Sequence, residues 1–188
     1  MRVAESVEND AQLNDDVILL SGMDFSGKST SMRLLSQMCD EMHVVRHRFL
    51  SSVDPIQRMI EEGAWVPRAE FVPLLVTMVQ SDIAESRQNT LILQDSLWFL
   101  KFVARILHEE PGRFRSETDA ILAAARSIRP LASFYLTASR ADRLARFQQR
   151  ATVRASMSTS DRLVHDWKKF DAIDSLYRDL VQEIFPST

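Results

Sequence analysis

The chain has 188 residues, 45% of them hydrophobic, with a formal net charge of -3 and a pI near 5.8. That length suits a single domain with a substantial core, and the acidic balance excludes a global basic field that would wrap nucleic acid non-specifically, so any basic site is local. The single cysteine, Cys39, excludes an internal disulfide and fits a reducing compartment, and no Cys/His group has the spacing of a zinc site.

The opening MRVAESVENDAQLNDD is polar and acidic, unlike a secretory signal. Residues 1–14 are expected to form a mobile tail ahead of one domain over 15–188. No apolar run approaches the roughly 20 residues that span a bilayer, so the expected setting is cytoplasmic, with no membrane partner.

Val17 to Leu20 is a continuous apolar run, as in a strand buried on both faces, and leads into SGMDFSGKST. Beyond the loop, Leu35, Met38, Cys39 and Met42 recur at helical spacing. A second strand is expected at His43 to Leu50, followed by a helical stripe of Phe71, Leu74, Leu75, Met78 and Val79. A third strand is expected at Thr90 to Gln94, with a helix marked by Trp98, Phe99, Phe102, Val103, Ile106 and Leu107. The fourth is expected at Leu131 to Thr137, and Ile173, Leu176, Tyr177, Leu180, Val181 and Ile184 mark a terminal helix. Strands alternating with helices point to an α/β fold of three layers, a parallel sheet with helices on both faces.

The loop carries the chemistry. Gly22 and Gly27 fill the glycine positions of G-x-x-x-x-G-K-[ST], the Walker A pattern, in which successive N–H groups curl inward on phosphate oxygens and the next helix adds its positive end. Lys28 is expected to reach the β- and γ-phosphates, Ser29 to ligate Mg²⁺ and Thr30 to help at the α-phosphate, with Phe25 and Ser26 completing the loop. This pattern is specific for a nucleoside triphosphate, ATP with Mg²⁺, and no guanine-reading Asn-Lys-x-Asp segment is present. A small-molecule kinase is the reading left.

GMDFSGKST resembles the Gly-x-Asp-x-x-Gly-Lys-[Ser/Thr]-Thr loop of the thymidylate kinase branch of the nucleoside monophosphate kinases. TLILQDS, RPLASFYLTASRADRLARFQQR and FDAIDSLYRDL are similar, in order and rough spacing, to three further stretches of that family. The resemblance implies that Asp24 contacts a sugar hydroxyl of the acceptor and that the arginines after the fourth strand lead into a lid, about 143–160. Four parallel strands in the order 2-3-1-4 are expected, with the family's fifth position empty, covered by a neighbour or outside this sequence; an uncovered sheet edge favours pairing, as in a homodimer.

Other residues are placed by position. Asp95, at the C-terminal end of the third strand, can hold Mg²⁺ or orient the attacking group, or it can cap the next helix. Arg140, Arg143, Arg146, Arg150 and Arg154 lie near one side of a helix, either as a solvated face or as lid cations for the γ-phosphoryl; Arg146 and Arg150 match the family best.

The departures from the family fall on the acceptor side. Arg48 survives from its Arg-Glu-Pro-Gly stretch without the other residues, and Ser96 stands where the family's arginine binds the acceptor's phosphate. Lys101 or Arg105 could supply the missing charge, Trp98 could line the acceptor pocket, and Phe25 could either pack over the loop or wall off a planar acceptor. The function expected is ATP-dependent phosphoryl transfer to a nucleotide or nucleotide-like molecule. A kinase for a hydroxyl of another metabolite and a nucleotide-binding regulator without turnover are the alternatives.

Overall fold

The computed structural model describes residues 17–38, 43–45, 92–95, 98–126, 130–153 and 163–186. The expected tail at 1–14, the helical stripe at 71–79, residues 46–50 of the second expected strand, and Arg48, Ser96 and Arg154 lie outside the described residues.

Strand β1 (Val17–Ser21) occupies the apolar run and ends where Gly22 begins the glycine loop. Helix α1 (Lys28–Met38) starts inside the loop motif, at the lysine itself. Strands β2 (His43–Val45) and β3 (Ile92–Asp95) are followed by helix α2 (Trp98–Glu109), helix α3 (Arg115–Arg126) and strand β4 (Ala132–Tyr135). Helix α4 (Arg140–Val153), a 3₁₀ turn over Leu163–His165 and helix α5 (Trp167–Ile184) complete the chain.

The four strands form one sheet in the order β2-β3-β1-β4, and every pairing is parallel. β1 is central, with Leu20 in register with Asp95 on one side and Phe134 on the other. Both neighbours therefore run toward the same edge as the glycine loop. This is the edge where parallel α/β sheets bind ligands.

The alternation of side chains along β1 divides the core. Leu19 is fully buried on the face covered by Leu100, Val103, Phe170, Ile173 and Tyr177 from α2 and α5. Leu20 faces the other way, against Met32 of α1. Burying each such aliphatic side chain stabilises the fold by about 1.5–3 kcal/mol. The result is a sheet between α1 and the α2/α3/α5 layer, with the loop held at the seam.

Two helix starts are anchored locally. Ser139 Oγ accepts from the Asp142 amide at 3.1 Å and donates to that residue's carboxylate, which caps α4. Asp166 caps α5 in the same way, accepting from the Lys169 amide at 3.1 Å. Among the described residues no helix is long and apolar enough to cross a membrane.

Candidate active site

The glycine loop bends in a way that only some of its residues can follow. Gly22 has φ of 143° and Gly27 of 104°, and a Cβ on Gly22 would lie 2.5 Å from the carbonyl oxygen of Leu136. A side chain there is excluded by both backbone angle and space. Phe25 also adopts a positive φ, 63°, which is costly for a bulky L-residue and persists only when its surroundings impose it.

Those surroundings come from α4. Arg146 donates from Nη1 to the Phe25 carbonyl at 2.7 Å, the guanidinium of Arg150 stacks 4.4 Å from the centre of the Phe25 ring, and Phe147 meets that ring edge-on at 5.7 Å. The Phe25 ring is thus buried between the loop and α4. The first part of the expected lid is accordingly a regular helix packed on the loop, while residues 154–160 lie outside the described set.

Arg143 behaves differently from its neighbours on the stripe. It is 2% exposed, donates from Nε to the Ala138 carbonyl and from Nη1 to the Asp24 carbonyl, both at 3.0 Å, and lies 3.5 Å from Asp174 Oδ2 on α5. Asp174 in turn accepts from the Tyr135 hydroxyl at 2.7 Å, which links β4, α4, α5 and the loop. Burial, with the Asp174 carboxylate adding to it, raises the Tyr135 pKa far above the ordinary phenol value. Arg140, by contrast, faces outward and pairs with Asp171.

Lys28 folds back over the loop, donating from Nζ to the carbonyl oxygens of Gly22 at 2.6 Å and Met23 at 3.1 Å. Ser29 and Thr30 are exposed on the first turn of α1 and line a cleft. Ser26 is buried beneath the loop, its Oγ 2.9 Å from the position of a Gly22 Cβ. The Thr30 and Ser31 amides both close onto the Gly27 carbonyl at 3.0 Å and begin the helix.

Across the cleft, α2 contributes Lys101, whose Nζ lies 2.9 Å from Asp24 Oδ2. Arg105, one turn on, does not reach the cleft: it is 5% exposed and pairs with Glu109 at 2.8 Å, and Glu109 also pairs with Lys169 of α5. Burial lowers the Arg105 pKa from the ordinary guanidinium value, against the opposing effect of Glu109. Asp95 ends β3 beside the last residues of β1, and Trp98 opens α2.

The cleft encloses about 590 Å³. Gly22 and residues 24–30 of the loop, Lys101, Arg146 and Arg150 line it, together with Gln149 and Val153 of α4, which the sequence did not single out as site residues. Cations therefore approach the glycine loop from α1, α2 and α4, and the only carboxylate in the described lining is Asp24. Such an arrangement suits a polyanion whose charge is spread over several oxygens.

No protein-family model and no curated protein matches the sequence. Solved structures do match in fold. A thymidylate kinase from Candida albicans has a TM-score of 0.61 at 14% identity, over 87% of this chain and 76% of that one. A deoxyadenosine kinase from M. mycoides with dCMP and dCDP bound has a TM-score of 0.61 at 13% identity, over 90% of this chain and 86% of that one. At these identities the likeness is one of fold alone.

Proposed function

We propose that the chain is a magnesium-dependent phosphotransferase that moves the γ-phosphoryl group of ATP onto a nucleotide or nucleotide-like small molecule. The observation that carries this reading is the convergence of Lys28, Arg146 and Arg150 on one glycine loop at the ligand-binding edge of a parallel sheet. Phosphoryl transfer asks little covalent chemistry of a protein, and positioning with charge neutralisation supplies most of the rate. The fold shared with two nucleotide or nucleoside kinases supports the same reaction class.

In this reading the loop amides cradle the donor phosphates. Lys28 Nζ exchanges the Gly22 and Met23 carbonyls for β- and γ-phosphate oxygens, and Arg146 and Arg150 neutralise the transferring group. Asp24 meets the acceptor. An acceptor oxygen bonds to the γ-phosphorus as the bond to the β–γ bridging oxygen breaks, and ADP leaves with the electron pair.

The residues present fit Mg²⁺. Ser29 is exposed where it lines the cleft, and its hydroxyl is the hard oxygen donor that Mg²⁺ takes. Mg²⁺ keeps several waters and takes few protein ligands, so it would be held by Ser29, with Asp95 as the acid at the C-terminal end of β3. When bound, the ion draws charge from the β- and γ-oxygens.

The test is acceptor-dependent release of ADP from Mg-ATP, measured over nucleosides and nucleotides alongside ATP affinity. Lys28→Ala is expected to lower turnover by about a hundredfold or more without changing cooperative melting. ATP binding with no acceptor-dependent ADP would leave a nucleotide-binding regulator and overturn the reading.

A further inference from the structure

We infer that Phe25 is a positioning residue that acts through Arg150: in the phosphotransferase reading, on which this inference rests, its ring aims the Arg150 guanidinium at the terminal phosphate of the donor. The backbone of Phe25 is unusual, with φ of 63°. Glycine takes that conformation without steric cost, whereas a bulky side chain takes it only when its contacts impose it. What phenylalanine adds at this position is a ring, and the residue is 6% exposed.

The contacts of this residue lead to α4. The guanidinium carbon of Arg150 lies 4.4 Å from the ring centre, and Phe147 meets the ring edge-on at 5.7 Å. Phe147 is itself met edge-on by His165 at 4.6 Å, so the 3₁₀ turn ahead of α5 joins the same stack. The two cations of α4 are thus held by different parts of one residue: Arg146 by the Phe25 carbonyl and Arg150 by the Phe25 ring.

Stacking engages the face of a guanidinium and sets the plane in which its N–H donors lie, and planar donors match the oxygens of a phosphate. Phe25 and Arg150 line the cleft together with Lys28, Ser29 and Thr30, so that plane is set beside the residues assigned to the donor. An arginine otherwise loses much rotamer freedom when it is fixed on a ligand. Holding the cation in the fold removes part of that cost at the moment of reaction. An aliphatic side chain of similar size fills the same space but offers no face to the cation.

The experiment replaces Phe25 by phenylalanines bearing one, two and three ring fluorines, and separately makes Phe25→Leu, each with and without Arg150→Met. Fluorine withdraws electron density from the ring face while nearly keeping its shape, so it weakens the cation contact without opening a cavity. Acceptor-dependent ADP release, calorimetric dissociation constants for Mg-ATP and Mg-ADP, and cooperative melting are all read. Turnover is expected to fall stepwise with fluorine number, by about tenfold at three fluorines and in Phe25→Leu. The dissociation constant for Mg-ATP should rise about threefold or more, and that for Mg-ADP should change by less than about twofold. With Arg150→Met the series should be flat, since the cation through which the ring acts is gone.

A flat series with Arg150 present would overturn the inference and leave Phe25 as packing over the loop. A series equally steep in Arg150→Met would overturn it as well, because the ring would then act by another route. If no acceptor supports ADP release, the phosphotransferase reading fails by itself. Calorimetry then still decides: a preference for Mg-ATP over Mg-ADP that declines with fluorine number upholds the positioning role, and a constant preference removes it.

Discussion

Arg146 donates from Nη1 to the carbonyl oxygen of Phe25 at 2.7 Å, joining helix α4 to the glycine loop through a charged donor. The same nitrogen is the nearest atom to a Cβ built on Gly27, at 3.3 Å. The guanidinium therefore lies over the loop itself. Because Arg146 is exposed and one of its contacts is to backbone, its removal is expected to affect catalysis more than folding. Arg146→Ala should lower kcat for acceptor-dependent ADP release by about a hundredfold, with the melting temperature within about 2 °C of wild type. Arg146→Lys should recover little, since an ammonium lacks the planar fork.

Arg143 should give the opposite pattern. It is buried, and its contacts with Ala138, Asp24 and Asp174 join three segments. Arg143→Met leaves Asp174 without that cation and two carbonyls without their donor, which should cost about 3 kcal/mol in urea denaturation. A loss below about 0.5 kcal/mol would show that the strut is not structural.

The two loop glycines should separate space from chemistry. A Cβ at Gly22 meets a backbone carbonyl at 2.5 Å that cannot move aside, so Gly22→Ala should destabilise the fold by about 2–4 kcal/mol by thermal or urea unfolding. At Gly27 the obstacle is the end of a flexible arginine, so Gly27→Ala should destabilise less and weaken ATP binding more. Equal losses of stability would contradict this difference.

Tyr135 sets an alkaline limit. Its pKa is raised in the fold by burial and by Asp174, while in the unfolded chain it titrates near the ordinary value of about 10. Above that pH the unfolded state releases a proton that the native state keeps. The associated stability is present below about pH 10 and is lost by up to about 1.4 kcal/mol per pH unit above it. Tyr135→Phe should therefore lose less stability between pH 9 and 11 than wild type, measured by chemical denaturation at each pH; parallel curves would sink the prediction.

The loop, β1 and α1 were legible in the sequence because each is specified by consecutive residues: an apolar run, two glycines at fixed spacing, and a lysine and serine that open a helix. Parallel strands alternating with helices were legible for a related reason, since short apolar runs alternate with stripes at helical spacing along the chain. Strand limits were less so: the fourth was expected over Leu131 to Thr137 and forms over Ala132–Tyr135, because its ends depend on pairing with β1. Helix α3 carried no motif and was not singled out.

What only the tertiary structure decided is how each helix is rotated against the loop. Spacing places Arg140, Arg143, Arg146 and Arg150 near one side of a helix, yet one faces solvent, one is buried as a strut, and two meet Phe25. Lys101 and Arg105 are likewise one turn apart, and the packing of α2 against α5 turns one into the cleft and the other toward Glu109. Phe25 lies in the same local motif as Lys28, but the direction of its ring follows from a positive φ and from an α4 that arrives more than a hundred residues later. Local sequence specifies the donor loop through backbone conformation, whereas the side chains that face it are chosen by long-range packing, which a periodic pattern does not encode.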